Sequence, residues 1–282
     1  MARRKFVPFS IAVQGRIVEY RRPAVMGILN VTADSFYDGG RHADPEGMLA
    51  HAHRLLAEGA DIIDIGAVST RPGATLLPPD EEGRRLAAAV RLLRTELPQA
   101  VLSVDTCYAL PARAAIEAGA DIVNDISGGQ FDPEMYHTVS DLQVPYILMH
   151  TRGTPDNMQQ HTDYDDIVDD LVRYFSSRID TLYRLGIKDL WLDPGFGFAK
   201  TTGQNHELLQ RLDELTGLFR QPLLVGISRK SMIYKPLCTT PDQALYGTVA
   251  LDAIALDRGA SILRVHDPRP ALDTIKLMFP EQ

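Results

Sequence analysis

Along the 282 residues, polar and charged side chains recur directly after short apolar runs: Asn30, Asp64, Asp105, Asn124, Met149-His150, Asp193, Arg229-Lys230 and Arg264-Val-His266. Their types suit a definite chemistry. Asp105, Asp193 and Asn124 are acceptors that match a flat heterocycle carrying NH and NH2 groups. Lys230, Arg264 and His266 are cationic or hydrogen-bonding, and match an anion such as a phosphate or diphosphate. The substrate implied has an amidine-like head and an anionic tail. Any one of these acidic residues could merely end a strand or cap a helix. Capping accounts poorly for the same ending on strand after strand.

Such residues need a scaffold that brings strand ends together. Leu55-Leu-Ala-Glu-Gly59-Ala-Asp-Ile-Ile-Asp64 is echoed by Ala115-Ile-Glu-Ala-Gly119-Ala-Asp-Ile-Val-Asn124, and more weakly around Gly186 and Gly259. Each repeat joins an apolar helix end, a glycine suited to a left-handed cap, and a short strand. Further apolar runs at Val25–Leu29, Val101–Val104, Val144–Met149 and Leu223–Ile227 bring the candidate strands to eight. Stretches of helical period lie between them, the longest being Tyr164, Ile167, Val168, Leu171, Val172, Phe175, Ile179 and Leu182. Asp44-Pro45, Asp132-Pro133, Thr240-Pro241 and Asp267-Pro268 read as helix starts. Eight strands alternating with helices predict a parallel (β/α)8 TIM barrel, with a doubly wound open sheet as the alternative. No linker divides the chain, so residues 1–282 are expected to form one domain. Ile11 to Val18 predicts two short strands around a Gln14-Gly15 turn, making residues 1–22 an N-terminal hairpin segment.

Composition narrows the partners. Lys and Arg number 29 against 37 Asp and Glu, a net charge of −8, which argues against a duplex nucleic-acid binder. No apolar run reaches the ~18 residues of a membrane span. Two cysteines far apart, Cys107 and Cys238, fit a reducing, cytoplasmic setting. The loops Asn30–Gly40 and Ser69–Ala74 read as mobile segments that close over a reaction and exclude water. Asp165-Asp166 and Asp169-Asp170 read as the solvated face of the longest helix rather than a metal cluster. Cys107 is expected to pack rather than react, and a Schiff-base role for Lys230 is disfavoured by Arg229 beside it.

At this point the motifs point to a family. Met26-Gly-Ile-Leu-Asn30-Val-Thr-Ala-Asp34-Ser-Phe-Tyr-Asp38-Gly-Gly40 closely resembles the first signature of the dihydropteroate synthase family, and Asp64-Ile-Gly66 with Ser69-Thr-Arg-Pro-Gly73 resembles the second. Ser103-Val-Asp105-Thr106, Ala118–Asp125, Met149–Pro155, Asp193–Lys200, Ser228–Ser231 and Arg264–Asp267 match in order to the C-terminus. The resemblance implies joining of 6-hydroxymethyl-7,8-dihydropterin diphosphate to 4-aminobenzoate, with release of diphosphate. It implies that Asp105, Asn124, Asp193 and Lys230 hold the pterin, with Met149 beside it. Asn30 would ligate Mg2+ on the diphosphate, whose oxygens Thr70, Arg264 and His266 would bind. Phe36, Asp38, Arg71 and Pro72 would form the 4-aminobenzoate site, with Phe198, Lys230 and Ser231 lining it. Asp38, Arg71 and Lys230 would be the catalytic residues, and the chain a homodimer and sulfonamide target. Two departures stand out: Ala33 replaces the usual proline before Asp34, and Ala67-Val68 replaces a common Gly-Glu.

Overall fold

The computed structural model describes residues 5–31, 45–67 and 77–280. It opens with an antiparallel hairpin, β1 (Phe9–Val13) and β2 (Arg16–Tyr20). Gln14 and Gly15 both take positive φ, 49° and 73°, as a tight two-residue turn between twisted strands requires. Eight parallel strands follow: β3 (Ala24–Asn30), β4 (Ile62–Gly66), β5 (Val101–Asp105), β6 (Ile122–Asp125), β7 (Tyr146–Met149), β8 (Leu190–Asp193), β9 (Leu224–Val225) and β10 (Ile262–Val265). Their spatial order is β8-β7-β6-β5-β4-β3-β10-β9, and a parallel bridge from Leu192 to Leu223 closes the ring. The expected barrel is therefore present, with β9 reduced to two residues.

Among the described residues the surrounding helices are α1 (Pro45–Ala57), α2 (Pro79–Glu96), α3 (Ala109–Glu117), α4 (Met135–Leu142), α5 (Ile167–Arg184), α6 (Thr202–Gln210), α7 (Leu212–Leu218), α8 (Ser231–Tyr234), α9 (Leu245–Asp257) and α10 (Pro268–Met278). Gly59, Gly119, Gly186 and Gly259 close helices with φ of 102°, 113°, 85° and 97°. A side chain is strained there, so the repeat read in the sequence is a repeated left-handed cap.

Strand alternation sorts the core into two zones. Outward residues such as Ile63, Ile65, Leu102, Val104, Val123 and Leu192 pack under the helices. The inward residues nearest the strand starts, Met26, Ile62, Val101, Ile122, Ile147, Trp191, Leu224 and Ile262, form a separate apolar cluster. The hairpin seals this end, with Ile11, Val13 and Tyr20 joining the same cluster. Ala12 N donates to Asp189 Oδ2 at 2.9 Å, and Gln14 Nε2 to Asp121 Oδ1 at 2.7 Å, which tie the plug to two helix–strand turns. One step further along each strand, the inward positions turn polar.

Three sequence expectations need correction. Asp132 does not cap α4, which starts at Met135; its carboxylate accepts from Glu134 N and, across the rim, from Ala109 N at the head of α3. Asp267 precedes α10, but its carboxylate is taken by Arg229 in a two-pronged pair at 2.8 and 2.9 Å. The acidic face of α5 is not simply solvated. Asp166 caps the helix and pairs with Arg211, while Asp170 turns inward to His150 and Arg152.

Candidate active site

The polar inward layer lies at the carboxyl ends of the strands, the end where a barrel of this kind places its chemistry. Asp64 on β4, Ser103 and Asp105 on β5, Asn124 on β6, Met149 on β7, Asp193 on β8 and Arg264 on β10 all follow the same inward alternation. The strand register supports this, since Asp64 pairs with Ser103, Asp105 with Asn124, and Met149 with Asp193.

Arg264 organises the floor. Its Nε donates to Asp64 Oδ2 at 2.6 Å and its Nη2 to Asp105 Oδ2 at 2.6 Å. Asn124 Nδ2 reaches the same Asp64 oxygen at 3.1 Å. Burial pushes the Asp105 carboxyl up to about 7 against the pull of Arg264, and the Asp64 charge adds to the rise. Burial also raises Asp193, with Lys230 opposing; Asp193 Oδ1 accepts from Gly195 N at 2.7 Å. Lys230 is drawn down to about 8 by burial, donates to Phe196 O at 2.6 Å, and stands 5.0 Å from the centre of the Phe198 ring. Gly226 leaves the space between them open: a Cβ there would meet Arg264 Cβ at 3.7 Å and Lys230 Nζ at 3.8 Å.

An apolar wall borders this floor. Met149, Cys107 and Ile126 form a small buried cluster against which Tyr108, Phe131 and Phe198 pack. Burial raises the Cys107 thiol, which packs within this cluster. His266 lies on the other side, with Nδ1 3.1 Å from Ser228 Oγ. Burial and then the neighbouring Arg264 and Arg229 lower its pKa to about 4, so it offers a hydrogen bond rather than a charge near neutral pH. Ser231 opens α8 next to Lys230, and Asn30 ends β3 exposed at the mouth. The structure thus gathers Asp105, Asn124, Met149, Asp193, Phe198, Lys230, Arg264 and His266 around one end of the barrel. Phe36, Asp38, Thr70, Arg71 and Pro72, with Ala33 and Val68, lie outside the described residues.

A cavity of about 640 Å³ sits elsewhere, between the N-terminal segment and the α7–β9 turn. Among the described residues its charged lining side chains are Lys5 and Arg220, with no carboxylate to receive an amidine-like head.

Residues 26–266 match the family described as pterin binding enzyme. A dihydropteroate synthase of Synechocystis is 46% identical over 250 residues, covering 88% of this chain and 86% of that protein. The chain belongs to the dihydropteroate synthase family of pterin binding enzymes. As a dihydropteroate synthase family member it is a transferase. Solved structures agree. The Yersinia pestis dihydropteroate synthase in complex with a sulfonamide drug superposes with a TM-score of 0.88 at 41% identity, covering 96% of this chain and 98% of that one. The Xanthomonas albilineans dihydropteroate synthase in complex with 7,8-dihydropteroate gives 0.83 at 39%, covering 95% and 97%.

Sequence reading assigned no role to two further features of this dihydropteroate synthase family member. Asp64 is fully buried yet ties Arg264 to Asn124. Behind the barrel wall, Lys200 Nζ meets His150 Nδ1 at 3.0 Å, Gly195 O at 3.0 Å and Phe198 O at 3.1 Å. His150 Nε2 in turn faces Asp170 Oδ2 at 3.2 Å. Burial draws Lys200 down to about 7, but three acceptors at once suit an ammonium with three N–H groups. Lys200 thereby clasps the turn that carries Phe196 O and Phe198. The signal was present as a lysine closing a glycine-rich loop, without any mark of its partners.

Proposed function

We propose that this chain condenses 6-hydroxymethyl-7,8-dihydropterin diphosphate with 4-aminobenzoate, giving 7,8-dihydropteroate and diphosphate in folate biosynthesis. The observation that carries the reading is the acceptor floor of Asp105, Asn124 and Asp193 with Lys230 and Arg264 beside it. The carboxylates and the amide oxygen take the N–H groups of the pterin, Lys230 donates to an acceptor on the ring, and Met149 packs along it. Arg264 Nη1, to which no bond from a described residue is made, offers its edge to the diphosphate, joined by neutral His266, Thr70 and Asn30.

The residues present fit a magnesium ion carried in on the diphosphate. Asn30 supplies one exposed amide oxygen that would hold the ion on the diphosphate. When bound, Mg2+ neutralises the leaving group. The protein's own part is to favour an SN1-like path. The bond between the pterin methylene carbon and the diphosphate oxygen breaks first, and the acidic floor with Asp38 stabilises the positive charge left on the pterin. The 4-aminobenzoate nitrogen then attacks that carbon and loses a proton. Phe36, Pro72, Phe198 and Ser231 hold the arylamine, and Arg71 with Lys230 completes the catalytic set.

The setting we assign is cytoplasmic, in keeping with two free cysteines and with no described helix long and apolar enough to cross a membrane. We assign a homodimer: α9 is apolar on its outward side as well, with Tyr246 at 87% exposure, which leaves a face suited to a second copy.

The decisive experiment mixes the protein with pterin diphosphate, Mg2+ and 4-aminobenzoate and follows diphosphate release. Release that depends on the arylamine is expected. Pterin binding without release would overturn the reading.

A further inference from the structure

Asp64 is fully buried in the inward layer. Both of its donors converge on one oxygen, Oδ2: Arg264 Nε at 2.6 Å and Asn124 Nδ2 at 3.1 Å. Oδ1 is buried without a partner, as is Oγ of Ser103, its neighbour across the β4–β5 register.

The consequence falls on Asn124. A side-chain amide carries a donor and an acceptor of nearly the same shape, and only its surroundings decide which way it turns. A carboxylate can only accept, so Asn124 must direct Nδ2 to Asp64. Oδ1 is left as the atom turned away from Asp64, and no described residue donates to it. With the second oxygens of Asp105 and Asp193, Asn124 Oδ1 completes a row of acceptor atoms beside the donors Lys230 and Arg264.

We propose that Asp64 is a specificity-determining positioning residue that locks the Asn124 amide and so makes this floor accept a ring edge rich in N–H groups while rejecting a ring with a carbonyl at the same place. The inference rests on the reading, under Proposed function, that Asn124 meets the pterin ring. A 2-amino-4-oxopteridine then fits, and its 2,4-dioxo counterpart sets carbonyl oxygen against amide oxygen. Without Asp64 the amide is free to turn over and offer N–H to that carbonyl.

The test compares binding of pterin and lumazine to the full chain by calorimetry in the wild type and in Asp64→Asn, Asp64→Leu and Asp64→Ala. The wild type is expected to prefer pterin by about tenfold or more, the effect of one mismatched buried hydrogen bond. Asp64→Asn keeps an oxygen at the Oδ2 position and is expected to keep the preference, although it lacks the charge. Asp64→Leu and Asp64→Ala remove the acceptor and are expected to bring the two affinities within about threefold of each other. The alanine variant answers the question if the leucine variant fails to fold. Weakened grip on Arg264 lowers both affinities together and leaves their ratio alone. An unchanged ratio in the folded leucine or alanine variant overturns the proposal, and so does an asparagine variant that loses the preference as they do. A wild type that binds neither ring overturns the pterin reading itself, which the ratio test keeps distinct.

Discussion

Replacing Arg264 with methionine removes the cation that bonds both Asp64 and Asp105. The side chains of the two carboxylates are 0% and 7% exposed, so water cannot take over its role. Breaking a buried ion pair from one side costs about 3–5 kcal/mol, because the remaining charge is left uncompensated. The protein can relieve part of this by taking up a proton. Asp105 already stands near 7 with Arg264 in place, and its loss moves that value higher. A carboxyl whose folded pKa exceeds its unfolded value near ~3.9 lets the folded state hold the proton longer. Stability therefore falls as pH rises from about 4 through the folded pKa and levels off beyond it. The deficit of Arg264→Met relative to the wild type is expected to be small near pH ~5 and to grow as pH rises past the wild-type value of about 7, so that it is clearly larger near pH ~8.5. Urea titrations read by fluorescence of Trp191, the one tryptophan and 1% exposed, measure it directly. A loss below about 1 kcal/mol at the higher pH would refute the argument, as would an equal loss at both.

Three other outcomes follow from the same reasoning. Asp252 on α9 is 1% exposed, has Oδ1 unpartnered, and is pushed up to about 8 by burial alone. Its folded pKa is raised, so it withdraws stability as pH climbs from about 4 to about 8; Asp252→Leu should raise the urea midpoint above that range, and an unmoved midpoint rejects this. Lys200→Met strands three acceptors behind the Phe198 turn and should raise KM for 4-aminobenzoate by about tenfold in a diphosphate-release assay, whereas an unchanged KM separates the clasp from the site. Gly195→Ala would set a Cβ 1.9 Å from His150 O at a φ of 71°. A loss of about 2 kcal/mol or more is expected by thermal melting, and a wild-type melting temperature would show that the turn can yield.

Much of the barrel is legible in the order of residues because its rules are local. A left-handed glycine such as Gly119 ends a helix wherever it stands, and a period of two already places Val101, Ser103 and Asp105 on one face. The candidate pterin residues could be named for the same reason: strand ends in a barrel share one rim. Directions and charge states were a different matter. Asp267 has the type and position of a helix cap, yet Arg229 outbids the backbone for its carboxylate. By type His266 can be a cation or a neutral hydrogen-bonding group, and burial beside Arg264 favours the neutral form.

What the sequence determined by itself is the set of strands, their alternation and the chemical types they carry to the rim. Only the closed barrel decided which of those types would meet. Arg264 stands 200 residues from Asp64 in the chain and 2.6 Å from it in space. Such a bond depends on ring closure and on the removal of water around two buried charges, neither of which any short window of residues can encode.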